Sequence, residues 1–356
     1  MKSTFGENLK LTIFGASHAP EIGMTLEGIP AGLPVDMEAL QQFMNRRAPG
    51  QNTWSTARKE ADVPLFLSGL TDGVTNGEPI HAVIRNENVK KSDYDELKYI
   101  PRPGHADFAA WMKYGLDFDM SGGGPFSGRM TAPMCIAGGL CKQWLEAKGI
   151  RIGAHIIQIG MMDGEYFKLI DPVLDHIGTD FPTLTAEAAE EMQEIISKAR
   201  AEGESVGGSI ECAVVGLPVG LGGPIFGGVE SKIAQIVYGI PGVKAVEFGQ
   251  GNAFCVACGS TANDGFTVEN GVVKTLSNNC GGILGGITNG MPLIFSATFK
   301  PTPSIAKPQK SVNLKTMEEV TIEIKGRHDP CIVPRAVPVV EAAAAVAIYD
   351  LMLDHV

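Results

Sequence analysis

Gly28-Ile-Pro-Ala-Gly-Leu33 is followed, after a helix-like stretch, by Gly73-Val-Thr-Asn-Gly77-Glu-Pro79. The same order returns as Gly216-Leu-Pro-Val-Gly-Leu221 and then Gly286-Ile-Thr-Asn-Gly290-Met-Pro292. Each copy ends in an apolar run, His81 to Ile84 and Leu293 to Phe299. A turn, a helix and a strand repeated in one order mean that a single supersecondary unit occurs twice. The copies, at about 9–100 and 205–300, are joined by no Ser/Pro-rich or charged linker. The expectation is one domain, 1–356, whose two similar halves share a core and enclose one site.

Working outward, Leu9 to Phe14 reads as a strand with Thr25 to Glu27 as its hairpin partner. Asp36 caps a helix running to about Arg47, which puts Arg46 and Arg47 at a helix C-terminus. Helices are also predicted from Arg129 to about Lys148, from Thr185 to near Gly203, and over Val229 to Tyr238. Ala336 to Asp354 closes the chain as a long helix with Pro338 in its first turn. Ser209 to Val215 reads as a strand. Strands and helices mix in both halves, so the fold class is an α/β or α+β sandwich.

With 356 residues, 44% of them hydrophobic and 19% charged, the chain can bury a large core. A net charge of −11 argues against broad nucleic-acid binding and leaves room for a local basic pocket that holds a small anion. No signal-peptide-length apolar stretch and no run of about 20 apolar residues occurs, so the reading is a cytosolic protein without a membrane span. Seven cysteines in apolar surroundings read as reduced core thiols, Cys255-Val-Ala-Cys258 among them, and no metal site is expected. Glycine clusters at 121–124, 221–228 and 281–286 lack the Lys-Ser/Thr ending of a Walker loop and the GxGxxG pattern.

Four loops hold polar groups that a core cannot explain: Gly15-Ala-Ser-His18, Asn45 to Gln51, Pro101-Arg-Pro-Gly-His-Ala-Asp107 and Gly326-Arg-His-Asp-Pro330. Each joins titratable groups to rigid turn residues, as a preorganised site requires. The arginines of these loops, with Arg129 and Arg335, suit a substrate bearing several negative charges, because a guanidinium pairs with carboxylate or phosphate through two hydrogen bonds. His18 and His105, framed by Gly and Pro, are the proton carriers of choice. His81, in an apolar strand, reads as a core histidine.

These loops, in this order, resemble chorismate synthase. The likeness spans Phe14 to His18, Arg46-Arg-Ala-Pro-Gly50, Arg102 to Asp107, Asn278 to Met291, Lys300-Pro-Thr-Pro-Ser-Ile305 and Gly326 to Pro338. The resemblance implies a β-α-β sandwich and a homotetramer. It implies conversion of 5-enolpyruvylshikimate-3-phosphate to chorismate by anti 1,4-elimination of phosphate, with reduced FMN required although no net redox change occurs. It assigns the trianionic substrate to Ser17, Arg46, Arg47, Arg129, Arg327 and Arg335. By the same likeness, His18 eases phosphate departure, His105 protonates reduced flavin, and Asp329 relays the hydrogen lost from the substrate. The flavin would lie against Ser127, Pro241, Gly242, Gly285, Lys300, Pro301, Thr302, Pro303, Ser304 and Arg327. No nicotinamide motif is visible, so an external flavin reductant is expected rather than NADPH reduction by this chain.

Three departures stand out. Ala16 and Ala19 replace Glu and Gly, Pro125-Phe126 replaces Arg-Ser, and Thr53 stands where many members carry Arg. The alternative reading is therefore a catalytically weakened flavin- or anion-binding homologue. Without the resemblance, a cofactor-free phosphate-releasing enzyme would also fit.

Overall fold

The computed structural model describes residues 3–50, 61–86, 98–324 and 329–354. Two five-stranded sheets enclose a helical layer. The first runs Thr4–Phe5, Lys10–Gly15, Glu21–Glu27, Ile80–Arg85, Leu65–Ser68. The second runs Met162–Asp163, Arg151–Ile159, Gly208–Val215, Leu293–Phe299, Val243–Phe248. All neighbours are antiparallel, and from edge to edge the two sheets carry equivalent strands in the same order.

Sequence spacing places the second copy at 205–300, but the strand matching Lys10–Gly15 is Arg151–Ile159, well before it. The reason is the connection. Residues 16–20 join the first pair of strands, whereas 160–207 join the second pair and include a helix of their own.

The helices, in chain order, are α1 (Met37–Arg47), α2 (Asp107–Tyr114), α3 (Thr131–Glu146), α4 (Ala186–Ala201), α5 (Val229–Val237), the short α6 (Gly259–Ala262) and α7 (Val333–Asp354). The cap of α1 is as read: Asp36 Oδ1 accepts from the amides of Glu38 and Ala39 at 2.9 Å each. α3 lies on the first sheet, α7 on the second, and the two pack along each other with α1 and α5 flanking. Small residues allow that approach: a methyl group on Gly138 would stand 2.3 Å from Ala342 Cα. α7 starts at Val333 rather than Ala336, so Pro338 sits in its second turn, where it removes one donor from the helix ladder. α7 is apolar enough to cross a membrane by length and composition, yet 89% of its apolar window is buried inside the fold.

Two side-chain readings are corrected here. Cys135, Cys141, Cys212 and Cys331 are buried, and burial pushes the thiols of Cys135 and Cys331 up to about 12. Cys280, however, is half-buried, while Cys255 and Cys258 are exposed at a pair of short helical turns, not packed in a strand. His81 is half-buried rather than in the core, stacked on Phe14 with Nδ1 3.0 Å from Thr25 Oγ1.

Candidate active site

The run Ser121-Gly-Gly-Gly124 is the centre of the site. Three consecutive glycines adopt positive φ, which no other residue tolerates so cheaply. A methyl group on Gly122 would stand 2.1 Å from His18 Cε1 and 2.8 Å from Ser17 Oγ. One on Gly123 would stand 3.1 Å from His105 Nε2. Adjacent glycines thus lie against the two imidazoles.

The His18 loop is held by backbone. Ser17 N donates to the Gly124 carbonyl at 3.1 Å, Ala19 N to the Ala16 carbonyl at 3.0 Å, and Asn86 Nδ2 to the Ala19 carbonyl at 2.7 Å. Ser17 Oγ lies 3.2 Å from His18 Nδ1. These bonds use the carbonyls of Ala16 and Ala19, so none of them depends on a side chain at position 16.

Asn86 leads to the arginines, since its Oδ1 accepts from Arg129 Nε at 3.1 Å. Arg129 Nη1 and Arg47 Nη1 then grip the two oxygens of Asp62. Arg47 also donates to Thr131 Oγ1 at 3.1 Å and to the Gly128 carbonyl at 3.2 Å. Arg335 Nε donates to the Arg47 carbonyl at 3.0 Å while its Nη1 pairs with Asp329. Burial alone would raise the Asp62 carboxyl; Arg47 and then Arg129 outweigh it and hold it below the usual carboxylate range. For Arg335, burial lowers the guanidinium from its ordinary value.

Arg46 does not join this cluster, contrary to its expected place. Its guanidinium forms a two-bond pair with Glu341, at 2.7 and 2.8 Å. Glu341 also accepts from Lys142 Nζ at 2.8 Å, three turns along α3 from Thr131, and from Ala154 N at 3.2 Å. A carboxylate that is 1% exposed in an apolar helix requires such cations, and it takes them. Burial would raise its pKa, but Lys142 and Arg46 hold it at about 2.

The flavin-side residues fall into two groups. Lys300 Nζ donates to the Gly104 carbonyl, Pro303 Cβ lies 3.4 Å from where a Gly104 side chain would begin, and Lys300 N donates to the Gly242 carbonyl at 2.9 Å. This brings Lys300, Pro301, Thr302, Pro303 and Ser304 beside Pro241, Gly242 and the His105 loop. Ser127 joins from the other side, its Cβ 3.4 Å from a side chain built on Gly123. Burial, with Lys244 nearby, lowers the Lys300 ammonium. Gly285 stands apart: its hairpin contacts the first residue of α5 through Val229 N and the Gly286 carbonyl, whereas Pro241 and Gly242 follow the last turn of α5. Arg327 lies outside the described residues.

The arrangement fits a flat anionic cofactor. Thr302 Oγ1 is buried with no partner among the described residues, and the positions of Gly104 and Gly123 would be filled by any Cβ. Sequence reasoning missed Asp62, Asn86 and Glu341. Of these only Glu341 carried a signal, as a lone charge in an alanine-rich apolar run.

A sequence profile described as chorismate synthase matches residues 9–353. The chain is 45% identical to the chorismate synthase of Lancefieldella parvula, over 99% of this chain and 96% of the relative. It is 44% identical to that of Thermococcus kodakarensis, over 98% and 97% respectively. A crystal structure of chorismate synthase matches it with a TM-score of 0.78 at 28% identity, covering 98% of this chain and 93% of that one.

Proposed function

Because the chain belongs to the chorismate synthase family, we propose a division of labour in which its loops hold a trianion and place two imidazoles while a bound flavin handles the electrons. The protein is a carbon–oxygen lyase that converts 5-enolpyruvylshikimate-3-phosphate to chorismate and phosphate. The family implies a flavin and a small-molecule substrate; reduced FMN as its form is part of this proposal. So are the single domain with its two repeats, a homotetramer, an external reductant and a cytosolic setting, the last supported by the unpaired thiols.

Arg47, Arg129 and Arg335, with Ser17, take the substrate's carboxylates and phosphate. Arg46 is spent on Glu341 and fixes the end of α1. His18, backed by Ser17, gives a proton to the departing phosphate. A bound reduced flavin would supply the electron chemistry of a reaction with no net redox change. Lys300 and the Pro301 to Ser304 loop, Pro241, Gly242 and Ser127 hold it, with Arg327 and Gly285 carried over from family likeness alone. His105 keeps a proton at the flavin side, and Asp329, held by Arg335, would draw a proton from that side and so pass on, as a proton, the hydrogen the substrate loses.

The observation that carries this reading is the approach of His18 and His105 to adjacent glycines, Gly122 and Gly123, on the run that leads into Arg129. Anaerobic incubation with the phosphorylated substrate and reduced FMN is expected to yield chorismate and phosphate one to one. Turnover no higher than that of the His105→Ala variant would refute it. Nothing in the comparisons supports the weakened homologue.

A further inference from the structure

Asp107 opens α2, is 2% exposed, and has no part in the chemistry described so far. Both of its oxygens are engaged. Oδ2 accepts from Arg102 N at 3.0 Å and Arg102 Nε at 2.7 Å, and Oδ1 accepts from Arg102 Nη2 at 2.8 Å. Oδ1 also lies 2.7 Å from His105 Nδ1. The loop closes on itself, since His105 N donates to the Arg102 carbonyl at 3.1 Å.

His105 Nδ1 has a second neighbour, Arg102 Nη2 at 3.1 Å. A guanidinium can only donate and a carboxylate only accept, so the two make opposite demands on the ring nitrogen. The carboxylate is the nearer of the two, and taking it as the acceptor places the hydrogen on Nδ1, toward Asp107. The proton-exchanging atom is then Nε2, the atom that faces Gly123. Asp107 can hold this arrangement throughout a catalytic cycle. Burial would raise its carboxyl, but the hydrogen bonds from Arg102 and His105 prevail and keep it well below the usual carboxylate range.

We infer that Arg102 and Asp107 are positioning residues: Arg102 locks the Asp107 carboxylate, and Asp107 fixes the tautomer and heading of His105 so that Nε2 alone exchanges protons at the flavin side. This rests on the reading of His105 as a proton carrier. Losing an orienting carboxylate leaves the imidazole free to take the wrong tautomer, an effect that costs serine proteases several orders of magnitude in rate.

The test compares three variants of the full-length enzyme with FMN. Asp107→Asn is expected to lower kcat at least ten-fold while the KM for substrate and the Kd for FMN stay within two-fold. In histidine-labelled protein, the nitrogen resonance assigned to His105 should move from the Nδ1–H to the Nε2–H pattern. Asp107→Glu should recover part of the rate. An unchanged kcat or an unchanged tautomer in Asp107→Asn overturns the inference. His105→Ala separates it from the reading beneath it: if that variant keeps full turnover, the proton-carrier role fails first. If His105→Ala is inactive and Asp107→Asn is not slowed, only the positioning role fails. Should Asp107→Asn not fold, Arg102→Lys decides, because one ammonium cannot grip both oxygens; kcat should fall about five-fold, and an undiminished kcat overturns the inference.

Discussion

Thr75 in the first half and Thr288 in the second make the same two hydrogen bonds. Each hydroxyl donates to a proline carbonyl, Pro30 or Pro218, at 2.7 Å and accepts from a leucine amide, Leu33 or Leu221, at 2.9 Å. The strands around them occupy equivalent places in the two sheets. The helices that follow these turns differ at their far ends. α1 closes with Arg46 and Arg47, where cations complement the helix dipole, whereas α5 runs into Tyr238-Gly-Ile-Pro-Gly242 with no charge. One unit therefore supplies guanidiniums and the other a flat backbone ledge beside Lys300. The remaining polar groups, from Arg102 to Asp107, Ser121 to Arg129 and Asp329 to Arg335, come from segments outside the repeated unit. Duplication built the walls, and the connections between and after the copies brought most of the chemistry.

Removing a cation from the first half should show that difference most strongly. Arg47→Ala strips one partner from the buried Asp62 carboxylate and leaves that charge half paired. A loss of roughly 3–5 kcal/mol in denaturant unfolding is expected, with the substrate KM raised. Lys300→Ala in the second half removes a half-buried ammonium whose bond is to a carbonyl. It should weaken flavin binding while shifting stability by less than about 1 kcal/mol. If Lys300→Ala raised the substrate KM as Arg47→Ala does, the two halves would not be specialised as described.

The shared turn gives a finer test. Thr75→Val and Thr288→Val each remove a buried hydroxyl and leave a leucine amide and a proline carbonyl without that partner, at a cost of roughly 1–3 kcal/mol. Because the two buried hydroxyls make the same bonds at the same lengths, the two losses should agree within about 0.5 kcal/mol. A threefold difference in midpoint shift would show that the equivalence is one of shape only.

What could be read from sequence follows the same division. Repeated turns and period-two strands are local signals, so α1, α5 and the Leu293–Phe299 strand were legible. The beginning of the second repeat was hidden because its first strand is separated from its second by residues 160–207. Asp62 was invisible: its partners stand 15 and 67 positions away, and Ala61-Asp-Val63 carries no motif. Arg46 misled because adjacent arginines on a helix end point in different directions, so only one of the pair reaches Asp62. The exposed Cys255 and Cys258 misled for a related reason, since an apolar run on a loop looks like a strand until its neighbours are known.

Glu341 joins the two halves and sharpens the comparison at its weakest point. It takes Arg46 from the first half, Lys142 from α3, and the Ala154 amide from the first strand of the second sheet. Its carboxyl is held at about 2 in the folded chain against 4.5 for the free group. A carboxyl depressed by folding contributes stability that is fully present above the unfolded value and is lost as pH falls toward the folded one. The window is therefore about pH 4.5 down to 2. At pH 4 the loss from this group alone is roughly 1 kcal/mol, because the unfolded chain already binds a proton there and the folded chain does not. Glu341→Gln cannot titrate, so its unfolding free energy should fall less between pH 7 and pH 4 than that of the parent chain, by about that amount. Equal slopes for the two proteins would mean that Glu341 contributes nothing to the acid limit.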